Sequence, residues 1–166
     1  MLILLSGLPG TGKSALGEAL GRALRAPVLS VDPIESVMIE AGLEHGFTTG
    51  LAAYGVAQRL AADHLALGLT VVADAVNDVE EARDGWRRVA AGVPLRVVEC
   101  VCSDEDLHRK RLEARERGLA FAEPTWASVL RRRAEWRPWP EQVLVVDSAL
   151  PLGDNLASVL DQLLIV

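Results

Sequence analysis

An excess of basic residues, a high density of cysteine and long apolar runs are all missing from this chain, and each absence removes a class of protein. The formal net charge is -6, so no general attraction to a polyanion is expected, although a local basic groove is compatible with that sum. Two cysteines in 166 residues are too few for a scaffold built on disulfides. They stand one residue apart in RVVECVC, a strand-like run that sends Cys100 and Cys102 to one face and predicts buried thiols in a reducing compartment. Histidines occur only at 45, 64 and 108, with no metal-ligand spacing. The opening LILL is too short to span a bilayer and no basic residue precedes it. Neither a membrane partner nor a leader is expected, and the expected location is the cytoplasm. There is no internal repeat, low-complexity tract or linker, and the length suits a single domain over 1–166.

What is present alternates. Five short apolar or β-branched runs read as strands: Leu2–Leu5, Val28–Val31, Thr70–Ala73, Leu95–Val101 and Val143–Val146. Their nearly continuous apolar character predicts parallel strands covered on both faces. Between them, helical patterns run over Ser14–Leu24, Tyr54–Leu67, Val79–Ala91, Asp104–Arg117, Pro124–Trp136 and Asn155–Leu163. The expected architecture is therefore a three-layer α/β domain. Glycine and proline punctuate 42–50 and 117–124, which predicts exposed, mobile segments there.

The strongest motif is Gly7-Leu8-Pro9-Gly10-Thr11-Gly12-Lys13-Ser14, which fits the Walker A pattern and lies between a strand and a helix, the context the pattern needs. Glycine lets the backbone turn tightly and present N–H groups to phosphate oxygens at the start of the following helix. Lys13 is expected to reach the β and γ phosphates and Ser14 to place its hydroxyl on Mg²⁺. The guanine-reading Asn-Lys-x-Asp signature of GTPases is absent, as is a D-x-x-G switch, which argues against a GTPase.

Two carboxylates stand at expected strand ends. Asp32 follows the second strand, where the carboxyl ends of parallel strands open on a ligand crevice. It suits a base that orients or deprotonates an acceptor hydroxyl and helps to hold Mg²⁺; it also suits the N-cap of a helix starting at Pro33. Asp74 ends the third strand, as a holder of metal-bound water, a support for the acceptor, or a cap. Asn77, three residues on, is either an acceptor ligand or a cap for the Val79 helix.

Farther along, Arg111 and Arg115 are four residues apart and therefore share one face of the expected Asp104–Arg117 helix. Two guanidinium groups on one face suit phosphates; a solvated, salt-bridged face is the other reading, and Glu113 with Arg117 forms a pair of that kind. Aromatic residues are only 4% of the chain, yet Trp126, Trp136 and Trp139 gather between 124 and 139 beside several arginines. That cluster can stack a base or a nucleic-acid strand, or simply pack on the sheet.

Taken with SVDPIESVM, VVADAVNDVEEARDGW and HRKRLEAR, the cradle resembles that of small P-loop kinases of the AAA_33 or zeta-toxin-like grouping, a landscape that includes chloramphenicol phosphotransferase and shikimate kinase. The resemblance covers nearly the whole chain. It implies a P-loop NTPase domain with strand order 2-3-1-4-5, ATP with Mg²⁺, an acceptor-facing Asp32, Asp74 at the end of the third strand, and Arg111 and Arg115 over the triphosphate on a lid spanning 109–124. Arg59 is the only arginine between Asp32 and Asp74, unlike the nucleoside monophosphate kinases, and the arginine and glycine signature for an acidic acceptor is missing. The expected reaction is transfer of a phosphoryl group to a hydroxyl of a small neutral or weakly charged molecule. A nucleotide or polynucleotide 5′-hydroxyl kinase and a non-catalytic ATP-binding regulator are the alternatives.

Overall fold

A computed structural model describes residues 1–164. Five strands form one parallel sheet: β1 (Leu2–Ser6), β2 (Val28–Ser30), β3 (Val71–Asp74), β4 (Leu95–Val101) and β5 (Val143–Asp147), in the spatial order β2-β3-β1-β4-β5. That is the order expected. β1 is buried along its whole length and divides the interior by the alternation of a strand. Leu2 and Leu4 enter one core with Val71, Ala73, Trp86 and Val97, whereas Ile3 and Leu5 enter the other with Leu16, Leu20, Val72 and Val98.

Among the described residues seven helices accompany the strands: α1 (Lys13–Leu24), α2 (Val31–Glu40), α3 (Phe47–Ala66), α4 (Glu80–Val89), α5 (Glu105–Glu113), α6 (Trp126–Glu135) and α7 (Leu152–Leu164). α1 and α7 close over the core of Ile3 and Leu5, and α3 and α4 contribute to the other. Three differences from the sequence reading matter for the site. β2 stops at Ser30, because Val31 already begins α2 and buries its side chain. α3 starts at Phe47, seven residues ahead of the expected Tyr54. It packs through Thr49, Ala53, Ala57, Ala61 and Leu65, a stripe at four-residue spacing whose members are too small to give a strong apolar signal. α5 ends at Glu113, four residues short of Arg117, so the chain from 114 to 125 crosses between α5 and α6 without regular structure.

The register places the site. Leu5 is level with Asp74 across the β1–β3 pair, and Ser30 is level with Asp74 across the β2–β3 pair. The glycine-rich loop, the end of β3 and the start of α2 therefore meet at the carboxyl end of the sheet. None of the described helices is long and apolar enough to cross a membrane.

Candidate functional site

The loop after β1 is shaped by backbone conformation. Gly10 and Gly12 adopt φ of 87° and 82°, in the left-handed region that glycine enters without strain. A side chain on Gly10 would also meet the His108 ring and Leu112, at 3.1 to 3.3 Å. Gly12 is the N-cap of α1 and no side chain caps that helix, so its first N–H groups face the loop without a side-chain acceptor. Leu8 O accepts from Thr11 Oγ1 at 2.8 Å and from Lys13 Nζ at 2.9 Å. Lys13 is only 8% exposed. Burial is the main influence on its ammonium and lowers its pKa, opposed first by the charge of Asp74 and more weakly by Asp32. Ser14 is exposed at the helix start.

Asp74 is buried at the end of β3 and accepts a hydrogen bond from Ser30 Oγ at 3.2 Å. Asp32 lies in the first turn of α2, where Ser30 occupies the cap position. The N-cap reading of Asp32 is thereby corrected: Val31 turns helical one residue before it, and its carboxylate reaches Arg117. Asn77 is also placed differently from both sequence readings. It is fully buried at φ 59°, its Nδ2 donates to Leu5 O at 2.8 Å, and its Oδ1 accepts from Trp86 Nε1 at 2.9 Å. Its backbone N–H donates to Tyr54 Oη at 3.0 Å. Every polar group of that side chain is engaged inside the fold, which ties β1 to α4 and leaves it nothing to offer an acceptor.

A cleft of about 410 Å³ runs from the loop toward α7, lined among others by Lys13, Ser14, Arg111, Arg115, Arg117 and Leu150. Arg111 is on α5 and donates to Ser148 O and Oγ at 2.9 and 3.0 Å. Arg115 and Arg117 lie beyond the end of that helix, so the shared helical face expected for Arg111 and Arg115 does not form, although both line the cleft. Helical spacing pairs Arg117 with Glu113 in solvent, but in the structure Glu113 pairs with Arg109 at 2.8 Å. Arg117 turns inward. Its Nε and Nη2 bond the two oxygens of Glu123, both at 2.9 Å, and its Nη1 bonds Asp32 Oδ2 at 2.5 Å. That hydrogen bonding from Arg117 holds the Glu123 carboxyl below its ordinary range. The crossing segment rests on α2 as well: Ala120 N–H donates to Ser36 Oγ at 2.8 Å, and Phe121 stacks on His45 with ring centroids 5.2 Å apart.

His108 is a residue the sequence reading missed. It is buried beneath the loop, one helical turn before Leu112, which is also buried, and its Nε2 lies 2.8 Å from Pro9 O. As Nε2 donates to that carbonyl, Nδ1 is free to accept from Arg133, 3.4 Å away. The i,i+4 pairing of His108 with Leu112 was the available signal. The tryptophans pack. Trp139 Nε1 donates to Ser6 Oγ at 3.0 Å, the buried Arg83 guanidinium sits 4.3 Å from the Trp139 ring centre, and Trp126 meets His108 edge-on at 5.1 Å. The two thiols part company: Cys100 is buried and its pKa is pushed up to about 12 by desolvation, whereas Cys102 lies past the end of β4, is half-buried, and has Arg111 Nη1 4.0 Å from its sulfur.

The residues fit a magnesium nucleotide. An uncapped helix start and left-handed glycines match phosphate oxygens. Among the described residues no cluster of three histidine, cysteine or acidic side chains forms a cage for a metal. One hydroxyl with one or two carboxylates is nevertheless the sparse set that Mg²⁺ uses when phosphates and waters complete its shell.

Three known proteins frame the chain. It is 32% identical over 148 residues to the uncharacterized protein Rv2004c of Mycobacterium tuberculosis, an alignment covering 81% of this chain and 30% of that one. The chain thus spans about a third of the length of the curated relatives it matches. A structure described as that of a candidate kinase from Chloroflexus aurantiacus superposes with a TM-score of 0.78 at 22% identity, over 96% of each chain. The APS kinase of Mycobacterium tuberculosis, in complex with AMPPNP and APS, gives 0.71 at 22% identity, over 98% of this chain and 96% of its own. These likenesses show a P-loop kinase fold. The profile of the AAA_33 family, an AAA domain, matches residues 2–136, and the chain belongs to that family.

Proposed function

We propose that the chain is an ATP-dependent phosphotransferase that moves the γ-phosphoryl group of ATP to a hydroxyl of a small molecule. The observation that carries this reading is convergence. Lys13, Asp74, Asp32 and Arg117 arrive from α1, β3, α2 and the 114–125 segment at the carboxyl end of the sheet, beside a cleft of about 410 Å³. In a phosphoryl transfer the protein acts mainly by positioning and by stabilising charge, and each of these groups has such a task.

The backbone N–H groups of Gly10 to Ser14 hold the phosphates, and Lys13 follows the charge that builds on the transferred group. Ser14, with Asp74 and Asp32 through water, would hold Mg²⁺, which neutralises phosphate charge when bound. Asp32 orients the acceptor hydroxyl and takes its proton as the oxygen attacks phosphorus. Arg115 brings positive charge from above the cleft, and Arg111, bonded to Ser148, forms its far wall. The 114–125 segment covers the reacting groups and keeps water from competing with the acceptor. The kinases among the structural neighbours support the reaction class, and the scarcity of arginine on α2 and α3 supports an acceptor without phosphate or carboxylate groups.

The test is acceptor-dependent release of ADP in the presence of Mg²⁺, scanned over nucleosides, sugars, aminoglycosides and other hydroxylated antibiotics, with 5′-hydroxyl oligonucleotides as the competing class. A hit that Lys13→Ala and Asp32→Asn both abolish supports the reading and names the acceptor. Turnover undiminished in Lys13→Ala overturns it.

A further inference from the structure

Arg117 belongs to two places at once. It lines the nucleotide cleft together with Lys13, Arg111 and Arg115, yet its donors are taken by carboxylates, Nη1 by Asp32 and the Nε–Nη2 edge by Glu123. Glu123 also lies 3.9 Å from Arg115. The two arginines are therefore matched by two carboxylates, in a group whose side chains are 20% to 36% exposed. The oxygen that Arg117 occupies, Asp32 Oδ2, belongs to the carboxylate that the acceptor hydroxyl must reach.

Resting on the phosphotransferase reading, we propose that Arg117 is a further catalytic residue that works by exchanging partners. Without an acceptor, Asp32 and Glu123 hold its guanidinium away from the γ-phosphoryl group. An acceptor hydroxyl that claims Asp32 displaces it, and Arg117 turns to the phosphoryl oxygens exposed in the same cleft. The acceptor oxygen then bonds to the γ phosphorus, the bond from that phosphorus to the bridging oxygen of ADP breaks, and the hydroxyl proton passes to Asp32. Arg117 neither gains nor loses a bond to hydrogen; it changes the oxygens it donates to. Water competes poorly in this scheme. A lone water brings no other contacts to offset the loss of a charge-assisted bond, whereas an acceptor held elsewhere in the site uses that binding to break it. Glu123 is the residue that sets how firmly Arg117 is held, since it takes both nitrogens of one edge of the fork.

The proposal is tested with Glu123→Gln, Arg117→Ala and the double variant, each first checked for an unchanged melting transition. Glu123→Asp serves in place of Glu123→Gln if the amide does not fold. Two readouts are taken: acceptor-free ATP hydrolysis, and calorimetric affinity for AMPPNP with Mg²⁺. Glu123→Gln is expected to raise both by roughly fivefold, the scale of one partly exposed ion pair. In the double variant Arg117→Ala is expected to remove that gain, because the released guanidinium is its source. Unchanged or reduced hydrolysis and affinity in Glu123→Gln, or a gain that survives in the double variant, overturns the exchange. The broader reading fails differently, by the absence of Lys13-dependent ATP turnover in the unaltered chain.

Discussion

The cradle and the segment that crosses above it are built from different materials. The loop after β1 is held by backbone geometry and packing: left-handed glycines, carbonyl acceptors within the loop, the His108 ring beneath Pro9, and the fully buried β1. Residues 114–125 have no regular structure and are tied down by ion pairs and a few hydrogen bonds to α2 and its loop. A structure of the first kind changes shape only when the fold is disturbed. One of the second kind can exchange its partners at little cost, because partly exposed ion pairs contribute little net stability. The phosphoryl transfer proposed for this chain needs both, one to fix phosphates and one to move.

The sharpest test of this contrast is the charge on Lys13. Lys13→Met keeps the volume and removes a buried ammonium, so turnover is expected to fall about 100- to 1,000-fold while the melting temperature holds or rises. A parallel loss of stability would mean that the lysine supports the cradle rather than its chemistry. Next comes Asn77→Ala, which leaves Leu5 O and Trp86 Nε1 without partners and is expected to cost about 2–3 kcal/mol in denaturant unfolding. AMPPNP affinity should survive in the folded fraction; selective loss of acceptor binding with normal stability would return Asn77 to the acceptor site. Gly10→Ala is expected to cost about 1–2 kcal/mol, since alanine is strained at this φ and its methyl meets the His108 ring, and to weaken nucleotide binding. A neutral result would show the loop to be more yielding than its glycines suggest.

The smallest effect is in pH. Burial is the leading influence on His108 and lowers its pKa, the bond to Pro9 O opposes the shift, and Arg133 adds to it. A depressed folded-state value means that the neutral ring stabilises the fold fully above the ordinary histidine range, near pH 6.5, and that this contribution is lost as pH falls through the lower folded value. The melting temperature is expected to decline on that side, and His108→Gln should flatten the decline while keeping a donor for Pro9 O. An unaltered acid limb in the variant would assign the loss to other groups.

The sheet and the phosphate loop were readable in the sequence because their signals are local. Apolar runs gave the five strands, and eight consecutive residues with a strand before and a helix after them gave the cradle. What escaped has two physical causes. α3 buries alanines, which give little amphipathic contrast, so its first seven residues looked like loop. Arg117 reaches Asp32 across 85 positions, a contact that helical spacing cannot anticipate, and the early end of α5 sent it away from the partner that spacing suggested. The place of Asn77 after a strand end is visible in the sequence, but its φ of 59° and its bonds to Leu5 O and Trp86 Nε1, which commit the side chain to the fold, are not.

The unequal thiols carry one more consequence. Cys100 is shielded and held as the unreactive thiol, whereas Cys102 is partly accessible and lies against an arginine of the nucleotide cleft. A maleimide dye should therefore attach to the unaltered chain at one position. Its fluorescence would follow Arg111 as nucleotide arrives and leaves, providing an optical reporter of the cleft without any engineered cysteine.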